Sequence, residues 1–519
     1  MRRRLVAALC TLCAAGCGDN DTGGEESGFR ILRVTPSSGT VGVDVESTVV
    51  LELSEPVDPD SVVGDAVALT GVEASVDVAG AAITLTPHAR LPFDSEVELT
   101  VTTAITSAAG EPLPAPLTSR FHTRWRLWSE PAMIGPASDQ TGVSQFRPLV
   151  VGAPTGDAVA VWEDDATGAY RLSGARYAAA DRSWTEDEEI ASGGAEYTLG
   201  PQLASDAAGN TLLVWRSVDR IEHAWYNADN SAWYHGAPVH IGETVVSVPI
   251  VALSPGGKGA ALWSENGDRM IARLDGDAWS PAETLGPGET ERAALAVDDG
   301  GTITMLWMNG VTLRAQRSDG EGWAAPSPLW SDVDGARADR PRVAALPGGG
   351  ALAVWGVVKV DGAEVHARFF DPDLAAWSDD EVIGTAATPA DTLPELAVTA
   401  AGDVLVVWDD WNGGLDARWW RGGAWEEAVS VAGGDVFAPE HQVAVDADGN
   451  AVTAYATVSA ATWWADRDWS ASDVAPNAVT IPIAVTFAGP DPLAVWEHYD
   501  YDDSLGAPLQ HGVRASFFR

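Results

Sequence analysis

Apolar and polar residues alternate along most of this chain with the period of two that is typical of β-strands. One pattern recurs within this alternation, a run of small and β-branched residues that ends in an aromatic side chain. The aromatic positions are Trp162, Trp215, Trp263, Trp307, Trp355, Trp408, Tyr455 and Trp496, at successive spacings of 53, 48, 44, 48, 53, 47 and 41 residues. No helical period lies between them, so the pattern predicts eight copies of one β-rich unit.

Each unit carries the signals of four strands. The first strand usually follows a proline, a glycine hairpin leads to the second strand, the third often contains Ala-Arg, and the fourth begins with tryptophan. Seven such fourth strands follow the eight repeats, and the missing one precedes the first repeat, at 128–134. Pairing of this segment with the last repeat would cover an exposed strand edge. We therefore predict that residues 125–519 form an eight-bladed β-propeller, with seven blades as the alternative.

Residues 29–124 have a different strand pattern, in which short β-rich runs alternate with turns as in an antiparallel sandwich. A set of motifs in this segment resembles the S-layer-type bacterial Ig-like family. The motifs are Pro36, Gly42-Val43, Leu53–Asp58, Leu85–Pro87, Leu91-Pro92, Val97–Val101, Gly110–Leu113 and Phe121–Thr123. The resemblance implies an Ig-like β-sandwich that acts as a spacer or an adhesive module. The whole chain is thus predicted to be all-β.

The N-terminus has the organisation of an export signal. Three arginines precede a short apolar run, which ends in small residues before Cys17. This run resembles the lipobox of bacterial lipoproteins, with Ala14 in the place where leucine is most common. The resemblance implies that residues 1–16 are a signal peptide and that Cys17 is lipidated. Residues 17–28 contain glycine and charge but no large apolar residue, and they are predicted to be a flexible tether.

Cys10, Cys13 and Cys17 are the only cysteines. A mature chain that begins at Cys17 would have no disulfide, and its lipid would be its only attachment to a membrane. In the lipoproteins that this run resembles, an aspartate after the cysteine is associated with retention in the inner membrane. Gly18 stands there instead. The resemblance therefore implies a location in the cell envelope, at the outer membrane. An ordinary secretory signal with a chance cysteine is the alternative.

Charge excludes one class of function. The chain has 75 acidic residues against 31 basic ones, a formal net charge of −44, so it repels phosphate backbones and is not expected to bind nucleic acid. Tryptophan is abundant, at 23 residues, and the repeat accounts for most of it. These side chains are predicted to pack between blades.

Three motifs suggest chemistry, and each has a simpler structural explanation. Asp446–Asn450 resembles the start of a calcium loop, but no glutamate follows at the twelfth position, so hairpin chemistry explains it better. The third-strand arginines could bind an anion, but their recurrence favours stacking on fourth-strand tryptophans. Phe146-Arg147-Pro148 and Asp339-Arg340-Pro341 are similar to one sialidase motif, but the sialidase Asp-boxes are absent. We expect no metal, no cofactor and no catalytic residues.

One predicted face of the propeller combines acids with aromatics. The loops between second and third strands share this face with the loops that join successive blades. Trp330 and Trp411 lie outside the repeat phase, so blade packing is not expected to use them. The candidate ligand-binding residues are Trp411, Trp330, Asp409, Asp410, Glu163, Asp164 and Glu497. Such a face suits a sugar, a cation or a basic peptide, and the alternative is an acidic surface that only confers solubility.

Together these patterns predict a non-enzymatic lipoprotein of the cell surface. An Ig-like spacer would present a propeller that binds a protein or a glycan. The alternative is an exported propeller glycoside hydrolase or lyase, similar to sialidases, that acts on polysaccharide.

Overall fold

The computed structural model describes residues 28–135, 147–164, 170–192, 200–244, 246–288, 290–320, 322–331, 335–386, 394–409, 414–432, 441–455, 459–464, 467–473, 483–502 and 507–519. Apart from three 3-10 turns, the regular structure of these residues consists of β-strands, which confirms the all-β prediction. The chain divides into two compact units between Arg126 and Leu127. No helix in the described part has the length and hydropathy that a membrane crossing requires.

The first unit is a sandwich of two antiparallel sheets. Its strands are β1 (Ile31–Thr35), β2 (Val49–Leu53), β3 (Val67–Leu69), β4 (Ala74–Ala79), β5 (Ala82–Pro87), β6 (Glu96–Val101) and β7 (Leu117–His122). One sheet has the order β1-β2-β5-β4 and the other the order β3-β6-β7. Alternate residues of β2, β3, β5, β6 and β7, such as Leu51 and Leu99, are buried in one shared core, and β1 and β4 pack against it with partly buried residues. The 3-10 turns Pro59–Ser61 and Gly64–Ala66 join β2 to β3.

The second unit contains eight antiparallel sheets among its described residues, of which seven are built from a four-stranded meander and the eighth from a three-stranded one. Sheet 8 also takes in β8 (Ala132–Met133), which precedes all the others in the chain. Sheet 1 consists of β9 (Leu149–Gly152), β10 (Ala158–Asp164), β11 (Arg171–Ala178), β12 (Ser183–Trp184) and β13 (Glu188–Ser192), and sheet 2 of β14 (Gln202–Ser205), β15 (Thr211–Ser217), β16 (Arg220–Asn227), β17 (Ala232–His235) and β18 (His240–Ile241). Sheet 3 consists of β19 (Ile250–Leu253), β20 (Lys258–Glu265), β21 (Asp268–Asp275), β22 (Ala278–Trp279) and β23 (Glu283–Pro287). Sheet 4 consists of β24 (Ala293–Val297), β25 (Ile303–Asn309), β26 (Thr312–Ser318) and β27 (Ser327–Ser331).

Sheets 5 to 8 repeat the same plan. Sheet 5 consists of β28 (Arg337–Leu346), β29 (Gly350–Lys359), β30 (Gly362–Asp371), β31 (Ala376–Trp377) and β32 (Glu381–Ala386), and sheet 6 of β33 (Glu395–Val398), β34 (Val404–Asp409), β35 (Leu415–Arg421), β36 (Ala424–Trp425) and β37 (Val429–Ala432). Sheet 7 consists of β38 (Gln442–Val445), β39 (Ala451–Tyr455), β40 (Ser459–Trp464) and β41 (Arg467–Asp473). Sheet 8 consists of β42 (Ile483–Ala488), β43 (Asp491–Asp502) and β44 (Ala507–Phe517), with β8. A third 3-10 turn, Pro347–Gly349, joins β28 to β29. In five sheets the fourth strand is split into two short pieces that both pair with the third.

The first strand of each sheet is the innermost. It contacts the first strand of the next sheet, from β9 through β14, β19, β24, β28, β33, β38 and β42, and β42 in turn contacts β9. This succession of inner strands is propeller-like, and residues of all eight line one space.

The repeat tryptophans pack between neighbouring sheets, as the sequence predicts. Six of them, Trp162, Trp263, Trp307, Trp355, Trp408 and Trp496, are at most 2% exposed. Trp408 lies so close to β32 of the preceding sheet that a Cβ on Gly384 would be 2.5 Å from the indole. Glycine at this position therefore allows the close approach of the two sheets.

The segment before the first repeat completes the last sheet. Ala132 and Met133 of β8 pair with Ala515 and Arg514 of β44. An isolated bridge joins Trp128 to Phe518, and their ring centroids are 5.3 Å apart. This confirms the prediction that residues 128–134 form the outer strand of the sheet that contains Trp496.

Candidate functional site

One position of each inner strand lies at the same level of the second unit. This position is held by the inner-strand residue that pairs with the second-strand residue directly before the repeat aromatic. The eight residues are Leu149, Gln202, Ile250, Ala294, Arg342, Glu395, Gln442 and Ala484. The first seven of them, with Ile483 beside the eighth, line a cavity of about 630 Å³. We call it the inner-strand cavity, and its volume is typical of small-molecule sites.

The wall of this cavity is divided by polarity. Sheets 5, 6 and 7 contribute Arg342, Glu395 and Gln442, which form a continuous polar arc. The remaining sheets contribute mostly apolar side chains, namely Leu149, Ile250, Ala294 and Ile483, with Gln202 among them. The amide of Gln202 donates a hydrogen bond to the Pro201 carbonyl at 3.0 Å, so one of its donors is already used.

An ion pair fixes the centre of the polar arc. Arg342 Nε donates to Glu395 Oε2 at 2.8 Å, and its Nη2 contacts Glu395 Oε1. Burial lowers the pKa of Arg342, but the charge of Glu395 and the hydrogen bonds to it together raise the pKa by more, so it lies above its usual value. The pair is two-pointed, which restrains both planar groups, and Arg342 Nη1 also donates to the Pro341 carbonyl at 3.2 Å. Next to it, His441 is buried, and its Nε2 donates to the Val407 carbonyl at 3.2 Å.

Arg147 precedes β9, and Arg340 lies inside β28 at a register shift. Arg147 and Arg340 both have left-handed φ angles, of 34° and 47°, and Gly200 adopts 56° at the corresponding position of sheet 2. Such angles are costly for a long side chain. Arg340 lines the inner-strand cavity, and its backbone N–H donates to the buried carboxylate of Asp339 at 2.9 Å.

Three acids that the sequence places in exposed loops are buried within strands. Glu163 is 2% exposed near the end of β10, Asp409 is 4% exposed at the end of β34, and Glu497 is 2% exposed inside β43. The prediction of an exposed position was wrong because the second strands run past the repeat tryptophan and the third strands cover them. None of these three described residues lines the inner-strand cavity.

Trp330 also has a packing role that the sequence did not predict. It lies in β27, pairs with Leu313, and is half-buried against the core between sheets 4 and 5. Blade packing therefore does use this indole, although its position is outside the repeat phase. Cys17, Asp410 and Trp411 lie outside the described residues, as does the side chain of Asp164. A binding role for these residues therefore stays a prediction.

Hairpin chemistry accounts for the calcium-like segment. Asp446 Oδ1 accepts from the backbone N–H groups of Asp448 and Asn450, at 2.9 and 2.8 Å. Its Oδ2 accepts from Asn450 Nδ2 at 2.7 Å. Burial raises the pKa of Asp446. Within the described ranges, no group of three or more His, Cys, Asp or Glu side chains is placed to hold a metal ion.

The sequence contained a signal for the polar arc that composition alone does not reveal. In most repeats the cavity-lining residue is the one directly after the leading proline, as in Pro341-Arg342 and Pro394-Glu395. A charged residue there is unusual, because Leu149 and Ile250 occupy the same place in sheets 1 and 3. Two adjacent repeats with opposite charges at this position mark the site.

Comparison with known proteins identifies part of the chain. Residues 25–123 match the family model described as "Bacterial Ig-like domain". The Ig-like prediction for the first unit is confirmed. No curated protein matches this chain.

Solved structures that resemble the chain are β-propeller proteins. A mutant of the Aleuria aurantia lectin with Fucα1-6GlcNAc is 13% identical, covers 57% of this chain and 97% of its own, and has a TM-score of 0.34. The NanB sialidase of Streptococcus pneumoniae is 11% identical over 91% of this chain and 83% of its own, with a TM-score of 0.34. The α-L-arabinanase of Penicillium chrysogenum with arabinobiose is 15% identical over 76% of this chain and 98% of its own, with a TM-score of 0.36.

Proposed function

We propose that the second unit is an eight-bladed propeller that binds a glycan in the inner-strand cavity, without catalysing a reaction. The observation that carries this proposal is the two-point ion pair of Arg342 and Glu395 in the wall of a cavity of about 630 Å³. Contact of β42 with β9 supports closure of the eight sheets into one propeller.

The divided wall matches the chemistry of a sugar ring. A pyranose carries hydroxyl groups around its edge and C–H groups on its faces. The polar arc offers guanidinium donors, carboxylate acceptors and an amide that does both, held in place before any ligand arrives. Leu149, Ile250 and Ala294 offer an apolar surface on the other side. Preorganised polar groups of this kind provide specificity in a concave site.

The state of Glu395 favours binding over hydrolysis. Glycoside hydrolysis needs one carboxylic acid that gives a proton to the leaving oxygen. Both carboxylate oxygens of Glu395 are held by the guanidinium of Arg342, which fixes the group in place. It is suited to accept hydrogen bonds from hydroxyl groups. An exported glycoside hydrolase or lyase is the outcome to be excluded by experiment.

We further propose that the chain is a lipoprotein of the cell envelope, anchored at the outer membrane through Cys17. The lipobox-like run before Cys17 and the glycine-rich residues 18–28 support an anchor followed by a tether. The bacterial Ig-like domain would then act as a spacer that carries the propeller away from the membrane surface.

A glycan array probed with soluble protein from Phe29 onward tests the binding proposal. We expect a defined set of glycans to bind, and Gln442→Leu to lower the affinity for them by about tenfold or more in calorimetric titrations. Asn230→Ala, in an exposed turn of sheet 2, is the control and should bind like the wild type. No bound glycan, or equal binding by Gln442→Leu, would contradict the proposal. Shorter products in the mass spectrum of an incubated glycan would show an enzyme.

A further inference from the structure

Third-strand arginines fill the outer grooves between several neighbouring sheets. Arg176, Arg273 and Arg317 all pair with the residue three positions before the repeat tryptophan. Each guanidinium lies over an aromatic ring of the next sheet: Arg176 is 5.8 Å from the Tyr226 centroid, Arg273 is 5.1 Å from that of Trp323, and Arg317 is 3.9 Å from that of Phe370. The arginines were predicted to stack on fourth-strand tryptophans, and only some of the partners are of that kind.

The groove between sheets 3 and 4 shows how such a guanidinium is held. Arg273 Nε donates to Glu283 Oε1 at 3.3 Å, and Arg273 Nη2 donates to Ser318 Oγ at 2.8 Å. The other oxygen of Glu283 accepts from Trp323 Nε1 at 2.9 Å. Carboxylate, indole and guanidinium thus form one closed cluster.

The groove between sheets 5 and 6 has the same carboxylate and indole but lacks the guanidinium. Phe369 occupies the position of Arg273, because each pairs with the residue three positions before the repeat tryptophan of its sheet. Glu381 corresponds to Glu283. Glu381 pairs with Ala367 of β30, and Glu283 pairs with Ile271 of β21. Ala367 and Ile271 each pair in turn with the residue directly before the repeat tryptophan of their sheet. Trp425 corresponds to Trp323, because their third-strand partners, Trp420 and Ser318, each pair with the residue four positions before the repeat tryptophan of their sheet.

The replacement of arginine by phenylalanine leaves an open groove of about 560 Å³. Phe369 stacks on Trp420 at 5.6 Å and 22°, and both rings line the groove together with Trp425 and Glu381. Glu381 is exposed, and in the described structure no ion pair or hydrogen bond to its carboxylate is found. The carboxylate that holds an arginine in sheet 3 therefore faces an aromatic groove in sheet 5.

Two arginines of this region do not replace the missing group. Arg418 is 5.7 Å from the Trp425 ring, but it donates to the backbone carbonyls of Ile383 at 3.1 Å and Glu426 at 2.6 Å. Arg368 also borders the groove, but it is adjacent to Phe369 in β30, and strand alternation directs its side chain to the opposite face of the sheet.

We infer that the groove between sheets 5 and 6 binds the guanidinium of an arginine in a basic segment of a partner protein. Such a side chain would stack on the aromatic rings and pair with Glu381, as Arg273 does with Trp323 and Glu283 within the molecule itself. A formal net charge of −44 attracts basic segments from a distance and raises their association rate. This site is separate from the inner-strand cavity and does not depend on glycan binding there.

The test is a titration of the soluble protein, from Phe29 onward, with the peptide acetyl-Gly-Arg-Gly-amide at physiological salt. Ligand-observed NMR measures the binding of the peptide. The matched probe replaces arginine by citrulline, which has the same shape without the charge. We expect the arginine peptide to bind and the citrulline peptide to bind at least about tenfold more weakly. Glu381→Gln should produce the same loss, and Phe369→Arg should block the groove with a guanidinium of its own.

Asp379→Asn is the control, because Asp379 is an exposed acid two residues from Glu381 that does not line the groove. It should bind the arginine peptide as the wild type does, and the thermal melting of Glu381→Gln should match that of the wild type. Equal loss in Glu381→Gln and Asp379→Asn would show diffuse charge attraction and overturn the inference. Equal binding of the arginine and citrulline peptides would also overturn the inference. The same holds if neither peptide binds and a methyl glycoside binds in a way that depends on Glu381.

Discussion

Arg342 and Glu395 occupy the same position in neighbouring sheets, and their side chains form a two-point ion pair in the wall of the inner-strand cavity. Their side chains are only 30% and 25% exposed, so water screens the pair incompletely. A double-mutant cycle of Arg342→Met and Glu395→Gln, measured by urea unfolding, should therefore give a coupling free energy of about 1–2 kcal/mol. Additive effects of the two changes would mean that the pair does not exist in solution.

Trp408 should be essential for the packing of sheets 5 and 6. Its indole is 1% exposed and lies against Gly384, so Trp408→Ala should lower the free energy of unfolding by about 3–5 kcal/mol. The exposed Tyr234 provides the control, since Tyr234→Ala should change it by less than about 0.5 kcal/mol. Urea unfolding followed by tryptophan fluorescence reports on the second unit, because Trp125 is the only tryptophan outside it. Similar losses in both variants would refute this packing role.

The pairing of the two ends of the second unit should control its solubility. Ser516 Oγ donates to the Ser129 carbonyl at 2.7 Å across 387 positions of sequence. Removal of residues 127–134 would expose the edge of β44, so we expect aggregation or a large loss of thermal stability. Size-exclusion chromatography and calorimetry of the shortened chain measure both. If the shortened chain is a monomer and has the same melting temperature as the full chain, the pairing of the two ends does not contribute to stability.

Glu265 should make stability depend on acid pH. Burial raises the pKa of Glu265, but the hydrogen bond from His240 at 2.8 Å, the charge of His240 and the hydrogen bonds from the Glu243 and Thr244 backbone together lower it by more, to below its usual value of 4.5. A carboxylate with a lowered folded pKa stabilises the protein above the unfolded pKa, and this contribution is lost as pH falls through the folded pKa.

The stability difference between the wild type and Glu265→Gln should therefore narrow as pH falls from 6 toward 3. Melting temperatures at a series of pH values measure it, and the exposed Glu130→Gln serves as the control. A constant difference over this range would show that the Glu265 pKa is not lowered.

Cys17→Ser should release the protein from the membrane fraction or block its processing. Mass spectrometry of the N-terminal peptide should detect acyl groups on Cys17 in the wild type. Unchanged membrane association of the variant, with no lipid mass on the wild-type peptide, would exclude the lipid anchor.

Sequence periodicity was sufficient to predict the repeated strands and the packing of the repeat aromatics. The repeat aromatics fall at one register position in every sheet, so their burial follows from the period alone. The partner of Trp128 was predictable because a fourth strand was missing from the repeat count.

The position of the binding groups could not be predicted in the same way. Glu163 and Asp409 follow a repeat tryptophan directly, and whether such a residue lies in a strand or in a loop depends on how far the third strand extends beside it. Arg342 and Glu395 are far apart in sequence, and only the side-by-side placement of the inner strands brings them into contact.

The most direct test of the central claim is a crystal structure of the protein with the tightest-binding glycan from the array. We predict an intact sugar ring in the inner-strand cavity, with hydroxyl groups within hydrogen-bonding distance of Glu395 and Gln442 and one face against Leu149 or Ile250. A glycan bound only outside this cavity, or a cleaved product within it, would contradict the account.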